Sequence, residues 1–516
     1  MKRWRKYPIR PAVVAGCLVI LVALATAQDT RNPSNERYLN WTKDYIELEP
    51  DADYHNATPA ALEAFRDMKY GVRIHWGIYS DAGFNDASWP FLKLPFAERQ
   101  KYQELYKTWN PTGFHAEEWM QLFSRNGVKV LAFTSKHHEG FSMFDTKTRV
   151  KRRVNWIAPG GPKIEECDLA YSIMETPFKR DVVKEISDAA HRYGIKLDLY
   201  FSNPDWYDAD FRPYGWHPLW TPGLTDNKAE FSITGDLAKR NPAGMMMPVP
   251  VVTVPDPSPE EQARMMARYR QQLVELASNY GKVDMMCLDN WFGKRTWPET
   301  KQAIKDIRKI QPAVMLRSRG IGNYGDYYTP EGFVPGSKSN TDMPWMVIYA
   351  LGPTWVYEPN PEKYKDVSWI VKNLVDIVAK GGNFMVGIGP DSTGRFHPKV
   401  VSALQEAGEW LRVNGEAIYA TRPREGELWK EGDSIRFTRS KDRRFVYAIS
   451  LGWPGKSITL KSVQAKPGSS IVMLGVKEPL HWRKDENGGL VIDISAALQD
   501  EANRPCKLAY AVKIEM

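Results

Sequence analysis

Between about residue 60 and residue 400 the chain repeats one pattern: a short, nearly continuous apolar run, then an amphipathic helical stretch. The runs fall at 72–76, 128–134, 195–202, 283–289, 313–319 and 383–388. Helical patterns fall at 116–126, 181–193, 259–280, 299–310 and 367–379. A strand that is apolar throughout needs cover on both faces, and a parallel sheet flanked by helices provides it. About six such units predict an α/β fold that closes as a (β/α)8-like (TIM) barrel. A doubly wound open sheet is the alternative. No Gly-rich phosphate loop follows the first run, which argues against its nucleotide-binding form.

After about residue 421 the helical patterns stop. Short alternating segments at 434–440, 444–451, 457–460, 470–474, 490–494 and 508–514 predict a C-terminal antiparallel β-sandwich that props the barrel. The division expected is therefore a leader at 1–27, a catalytic barrel at 28–420 and a sandwich at 421–516. An excursion at about 206–257 carries Trp216, Trp220 and many prolines. It is too long for an ordinary connection and is expected to wall the barrel mouth.

Residues 1–27 read as a signal peptide. Lys2, Arg3, Arg5, Lys6 and Arg10 precede an apolar stretch, and Ala25-Thr26-Ala27 forms a small-x-small cleavage site. Secretion or periplasmic export follows, with no stable membrane span once the leader is removed. Val14-Ala15-Gly16-Cys17 also resembles a lipoprotein box, but most of the apolar run follows Cys17. Removing the five basic leader residues takes the formal charge from +8 to +3, so no basic face argues for nucleic acid. Cys167, Cys287 and Cys506 remain, too few and too scattered for a disulfide framework. Cys287 reads as a small apolar residue of a buried strand.

Polar and aromatic residues gather where apolar runs end. Ile74-His75-Trp76-Gly77 closes the first run, and Lys136-His137-His138-Glu139-Gly140-Phe141 the second. Tyr200-Phe201-Ser202 and Asp205-Trp206 follow the third, and Leu288-Asp289-Asn290-Trp291 the fourth. Strand ends at one mouth of a barrel are where sites are built. Asp289 ends one run, and Glu331 follows the next in Thr329-Pro330-Glu331. Two carboxylates at one mouth are the minimal equipment for hydrolysing a glycosidic bond. Three histidines raise a metal as the rival reading, but neither adjacent strand residues nor a helical His pair completes a ligand set. No metal and no cofactor are expected.

With these motifs the chain resembles the α-L-fucosidases of glycoside hydrolase family 29, from about Gly71 to Pro423. The resemblance rests on the His-Trp-Gly and Lys-His-His-acid-Gly-Phe motifs and on Pro177-Phe178-Lys179-Arg180-Asp181. It extends through the segment from Leu374 to Asn383, Ile388-Gly389-Pro390, and Asn414-Gly415-Glu416-Ala417-Ile418-Tyr419. It implies a secreted, exo-acting, retaining enzyme on the oligosaccharide or polysaccharide chains of glycans. Asp289 would be nucleophile and Glu331 acid/base. His75, His137 and His138 would hold fucose hydroxyls. Trp89, Tyr200 and Trp355 would be aromatic pocket residues, with Trp76 beside His75, and Arg319 would make a polar contact near the acid/base.

The departures cluster at the site. Ser88-Trp89 stands where the family has Glu-Trp, Glu139 where it has Asp, Cys287 where it has Trp, Trp345-Met346 where it has Trp-Glu, and Gly387 where it has Asn. An α-L-galactosidase or related α-L-glycosidase using the same machinery is one alternative. A glycan-binding protein descended from the enzyme is the other.

Overall fold

The computed structural model describes residues 45–212, 214, 217–219, 257–289, 292–330 and 343–516. The leader at 1–27, Trp216, Trp220, Trp291 and Glu331 lie outside the described residues. No described helix is long and apolar enough to cross a membrane.

The barrel is laid down by β1 (Tyr70–Ile74), β2 (Val130–Lys136), β5 (Lys196–Ser202), β6 (Met285–Asp289), β7 (Met315–Leu316), β8 (Met346–Ala350) and β9 (Asn383–Ile388). They form a parallel sheet in the order β7-β6-β5-β2-β1-β9-β8. Its two ends meet through Tyr327 and Tyr328. Tyr327 bridges to Arg317, Tyr328 bridges to Trp345, and both bridges are parallel. The Ser318 amide donates to the Tyr327 carbonyl at 2.8 Å, and the Met346 amide to that of Tyr328 at 3.1 Å. A two-residue segment thus takes the place of an eighth strand and closes the ring.

Helices α1 (Pro59–Met68), α2 (Phe96–Glu104), α3 (Ala116–Arg125), α4 (Val182–Arg192), α5 (Pro259–Asn279), α6 (Trp297–Ile310), α7 (Val367–Ala379) and α8 (Pro398–Asn414) complete the domain. Their ends are locally encoded. Ser258 and Glu261 make a reciprocal capping box on α5, and Asp181 and Asp366 cap α4 and α7 through the Lys184 and Trp369 amides. An antiparallel pair, β3 (Val150–Asn155) with β4 (Lys163–Leu169), lies outside the barrel.

Strand alternation sorts the apolar residues into two sets. Val72, Leu131, Leu199, Leu288, Val347 and Val386 face the helices. Val130, Ala132, Met285, Met315, Met346 and Met385 point inward, where Phe65 and Met68 of α1 plug the lower end.

Two further sheets follow. One has the order β10 (Lys430–Glu431), β11 (Ile435–Arg439), β12 (Phe445–Ser450), β17 (Tyr510–Glu515), β14 (Val472–Met473). The other has the order β13 (Ser457–Leu460), β16 (Leu490–Asp493), β15 (Trp482–Lys484). Both faces of the larger sheet are buried. Val446, Ala448, Val512 and Ile514 join the sandwich core. Tyr447, Ile449 and Ala511, at alternate positions, join the core of the barrel. The Trp410 indole of α8 donates to the Ala509 carbonyl at 2.7 Å, and the Ala511 amide to the Asn414 carboxamide at 3.2 Å.

Candidate active site

The C-terminal strand ends deliver their polar residues to one cavity of ≈ 190 Å³. His75 enters after β1, His137 after β2, Tyr200 from β5, Asp289 from β6, Arg317 and Arg319 after β7, and Trp355 after β8. Ala87 and Trp89 close one wall, and Arg73 and Ile348 lie deeper. A cavity of similar size at the opposite end is lined by Ala60, Ala61, Ala64, Phe65 and Met68 of α1 with Thr58, Ala313 and Met315, and by the charged Lys196, Lys282 and Asp284. The bottom face of a barrel serves stability, and the chemistry is at the other mouth.

Asp289 is the most constrained group of the cavity. Its Oδ2 accepts the Tyr200 hydroxyl at 2.6 Å, and its Oδ1 accepts Arg319 Nη1 at 2.9 Å and Arg317 Nη1 at 3.3 Å. His138 Nε2 lies 3.5 Å from Oδ2. Burial opposes ionisation, but the Arg319 and Arg317 guanidiniums and the Tyr200 hydroxyl hold the carboxyl well below the usual carboxylate range. The side chain keeps 14 % of its surface exposed, so an ionised oxygen still faces the cavity.

The histidines are packed ring against ring. His137 and His138 follow the end of β2, so both turn to the site, with centroids 4.5 Å apart. His137 stacks on Tyr200 at 5.8 Å, and His75 sits 5.6 Å from Trp355. Burial, followed by neighbouring Arg73 for His75 and His137 for His138, holds both imidazoles well below their ordinary value. Both are expected to be neutral at pH 7, serving as hydrogen-bonding groups and not as acids. Imidazole ¹⁵N shifts of selectively assigned His75 and His138 would check this, and an imidazolium signal for either at pH 7 would contradict it.

Three departures from the family pattern gain a physical account. Ser88 Oγ lies 2.5 Å from His137 Nδ1, and the Glu139 carboxylate lies 3.7 Å from the same nitrogen. Both substituted positions therefore converge on one histidine. At Gly387 an added Cβ would stand 3.0 Å from the Trp355 ring, so the missing side chain makes room for that aromatic wall.

Behind the site, Lys136 Nζ lies 3.6 Å from Asp205, whose carboxylate accepts Arg268 Nη1 at 2.6 Å. Trp206, the next residue, stacks on His138 with centroids 5.3 Å apart. Gly140 makes this possible. Its φ is +90°, and a Cβ there would stand 2.1 Å from Asp205 Oδ1. Gly140→Ala would displace a buried ion pair as well as strain the backbone, so a loss of about 3 kcal/mol or more is expected in denaturant unfolding. A loss under about 1 kcal/mol would show that Asp205 is not pinned there.

The structure brings His75, Trp89, His137, His138, Tyr200, Asp289, Arg319 and Trp355 together. Trp76 is a correction. As His75 points inward, its chain neighbour points out, and Trp76 is fully buried against Trp109, Phe114 and Trp119 with its indole donating to the Asp391 carbonyl. Arg319 contacts Asp289 itself. Cys287 is not merely an apolar filler, because its Sγ accepts Arg73 Nη2 at 3.0 Å and Arg317 Nη1 at 3.3 Å. Arg73 and Arg317 escaped the sequence reading. Each lies two residues before an expected site residue, His75 and Arg319, and the two-residue strand period was the signal that marked them. Among the described residues no cluster of three or more His, Cys, Asp or Glu is arranged to hold a metal ion.

The family described as Alpha-L-fucosidase matches residues 42–416, and that described as Alpha-L-fucosidase C-terminal domain matches residues 431–515. The chain belongs to the α-L-fucosidase family. It is a glycoside hydrolase of that family, with the barrel and the sandwich each matched. Human tissue α-L-fucosidase is 26% identical over 99% of this chain and 98% of its own length. Human plasma α-L-fucosidase is 26% identical over 87% and 89%. Among solved structures, α-L-fucosidase isoenzyme 1 of Paenibacillus thiaminolyticus aligns with TM-score 0.68, at 24% identity over 88% of this chain and 98% of that one. A structure of the Bacteroides thetaiotaomicron α-L-fucosidase, titled as a trapped covalent intermediate with 2-fluoro-fucosyl fluoride, aligns with TM-score 0.66, at 22% identity over 91% and 99%.

Proposed function

We propose that this α-L-fucosidase family member is an exported, exo-acting, retaining hydrolase that removes terminal α-L-fucosyl-type residues from glycans. Asp289 is its nucleophile and Glu331 its acid/base. The observation that carries the reading is the Asp289 carboxylate, which accepts from Tyr200, Arg317 and Arg319 and lines the cavity, contacts that hold it well below the usual carboxylate range. A carboxyl group held so far towards its anion has no proton to give at neutral pH, so its role is attack. The proton must come from a second group. Glu331 is assigned that role from sequence: it directly follows Thr329-Pro330, just after the Tyr327-Tyr328 segment that closes the barrel.

In the first step an Asp289 oxygen forms a bond to the anomeric carbon as the glycosidic C–O bond breaks, and Glu331 gives its proton to the departing oxygen. In the second, Glu331 takes a proton from water, whose oxygen attacks the anomeric carbon and releases Asp289 as carboxylate. Arg317, Arg319 and Tyr200 stabilise that carboxylate before attack and after release. The covalent intermediate trapped in the Bacteroides relative supports the same route here. The walls of Trp89 and Trp355 favour one terminal ring over an internal sugar.

Hydrolysis of an aryl α-L-fucoside followed by ¹H NMR tests the reading. The α-anomer of the free sugar is expected first, and initial release of the β-anomer would mean inversion. Export is checked separately, since the mature protein is expected to begin at Gln28.

A further inference from the structure

The barrel interior beneath the site is built unlike its lower end. Below the cavity the inward residues are mostly methionines, yet the cavity floor carries a guanidinium. Arg73 lies two residues before His75 on β1, about 6.6 Å deeper along the strand, and is 4 % exposed. Its Nη2 donates to the Cys287 thiol at 3.0 Å, its Nε has no acceptor, and its plane lies 4.7 Å from the centre of the Tyr200 ring. Asp198 is the carboxylate of this layer, and both its oxygens lack a hydrogen-bond partner. Burial pushes the Asp198 carboxyl up to about 6, against the pull of Arg73 and Arg317. A buried cation that faces a cavity and is met by a thiol, without a direct carboxylate contact among the described residues, is an incomplete ion pair.

We propose that this floor is an anion subsite centred on Arg73, and that the preferred sugar carries a sulfate ester or a carboxylate at its buried end. The proposal rests on the α-L-glycosidase reading above. With C1 set against Asp289 and the ring hydroxyls left to the histidines, C6 is the carbon that can take a charge without altering those hydroxyls. L-Fucose has a methyl there. A methyl would bury the guanidinium with no acceptor, whereas an anionic oxygen would take charge-assisted hydrogen bonds from it.

The test compares kcat/KM of the full chain on aryl α-L-fucoside, aryl α-L-galactoside, its 6-sulfate and aryl α-L-galacturonide. One of the two charged glycosides is expected to exceed both neutral ones by at least about 100-fold, because a site built for a polar group strongly rejects the analogue lacking it. Which of the two wins identifies the anion. Arg73→Gln is expected to lower the charged-to-neutral ratio about 100-fold, with Arg73→Lys restoring part of it. Calorimetric binding of free L-galactose 6-sulfate, L-galacturonate and L-fucose to the unmutated chain gives a second readout should the variants misfold. A neutral glycoside hydrolysed fastest, or L-fucose bound more tightly than both charged sugars, overturns the subsite. Failure to hydrolyse any of the four glycosides overturns the glycosidase reading instead, and calorimetry then decides the subsite alone.

Discussion

Asp289→Ala is expected to lower kcat/KM by about 10⁵-fold on activated and natural glycosides alike, because every substrate needs the nucleophile. The same change should destabilise the fold. It removes the carboxylate that Arg317 and Arg319 both contact, and breaking a buried pair costs about 3–5 kcal/mol. Azide admitted to the vacated space should restore part of the activity and yield a glycosyl azide of inverted configuration. Asp289→Asn, which keeps the shape, separates the two effects, since its activity should fall as far while its hydrogen bond to Tyr200 survives. The pH dependence of stability has a definite sign. A carboxyl whose folded value is depressed contributes stability that is present above the ordinary Asp range and is lost progressively as pH falls from there through the depressed folded value. Asp289→Asn should remove that part of the acid sensitivity. Retained activity on either substrate class would dismiss Asp289 as nucleophile.

Glu331→Ala should divide the substrates. A natural leaving group needs a proton to depart, so its kcat/KM is expected to fall by about 10²–10⁴-fold, the usual worth of general acid catalysis. An aryl group of low pKa departs unaided and should be largely spared in the first step. Azide would then attack the glycosyl-enzyme and give the retained product. Equal losses on both substrates, or azide products of the opposite configurations, would mean that the two carboxylates have each other's roles.

The barrel was readable because its strands are apolar on both faces and its helices amphipathic, a contrast that survives without any tertiary information. The run at 383–388 and the helix at 367–379 match β9 and α7 to the residue. Elements with little contrast were not readable. β3 reads Val150-Lys151-Arg152-Arg153-Val154-Asn155, a charged run that resembles solvated chain, yet its arginines are spent on Asp210, Glu104 and Glu165. The Tyr327-Tyr328 segment is too short to carry a period. At the site, strand-end residues were found because they make poor core. Arg73 and Arg317 were hidden inside otherwise apolar runs, and Trp76 was misplaced because adjacency in sequence was read as adjacency in space. Strand pleating puts neighbours on opposite faces.

The two-faced sheet of the C-terminal region has a consequence for how the protein is made. β17 lies between β12 and β14, so the sheet that covers Trp410 and the outer layer around α8 lacks one of its inner strands until Tyr510–Glu515 is in place. A barrel that is otherwise complete keeps that apolar flank bare until the last strand docks. A chain that ends before Tyr510 carries every residue of the site yet is expected to aggregate through that uncovered flank, which comparing the soluble yield of full-length and truncated chains would check.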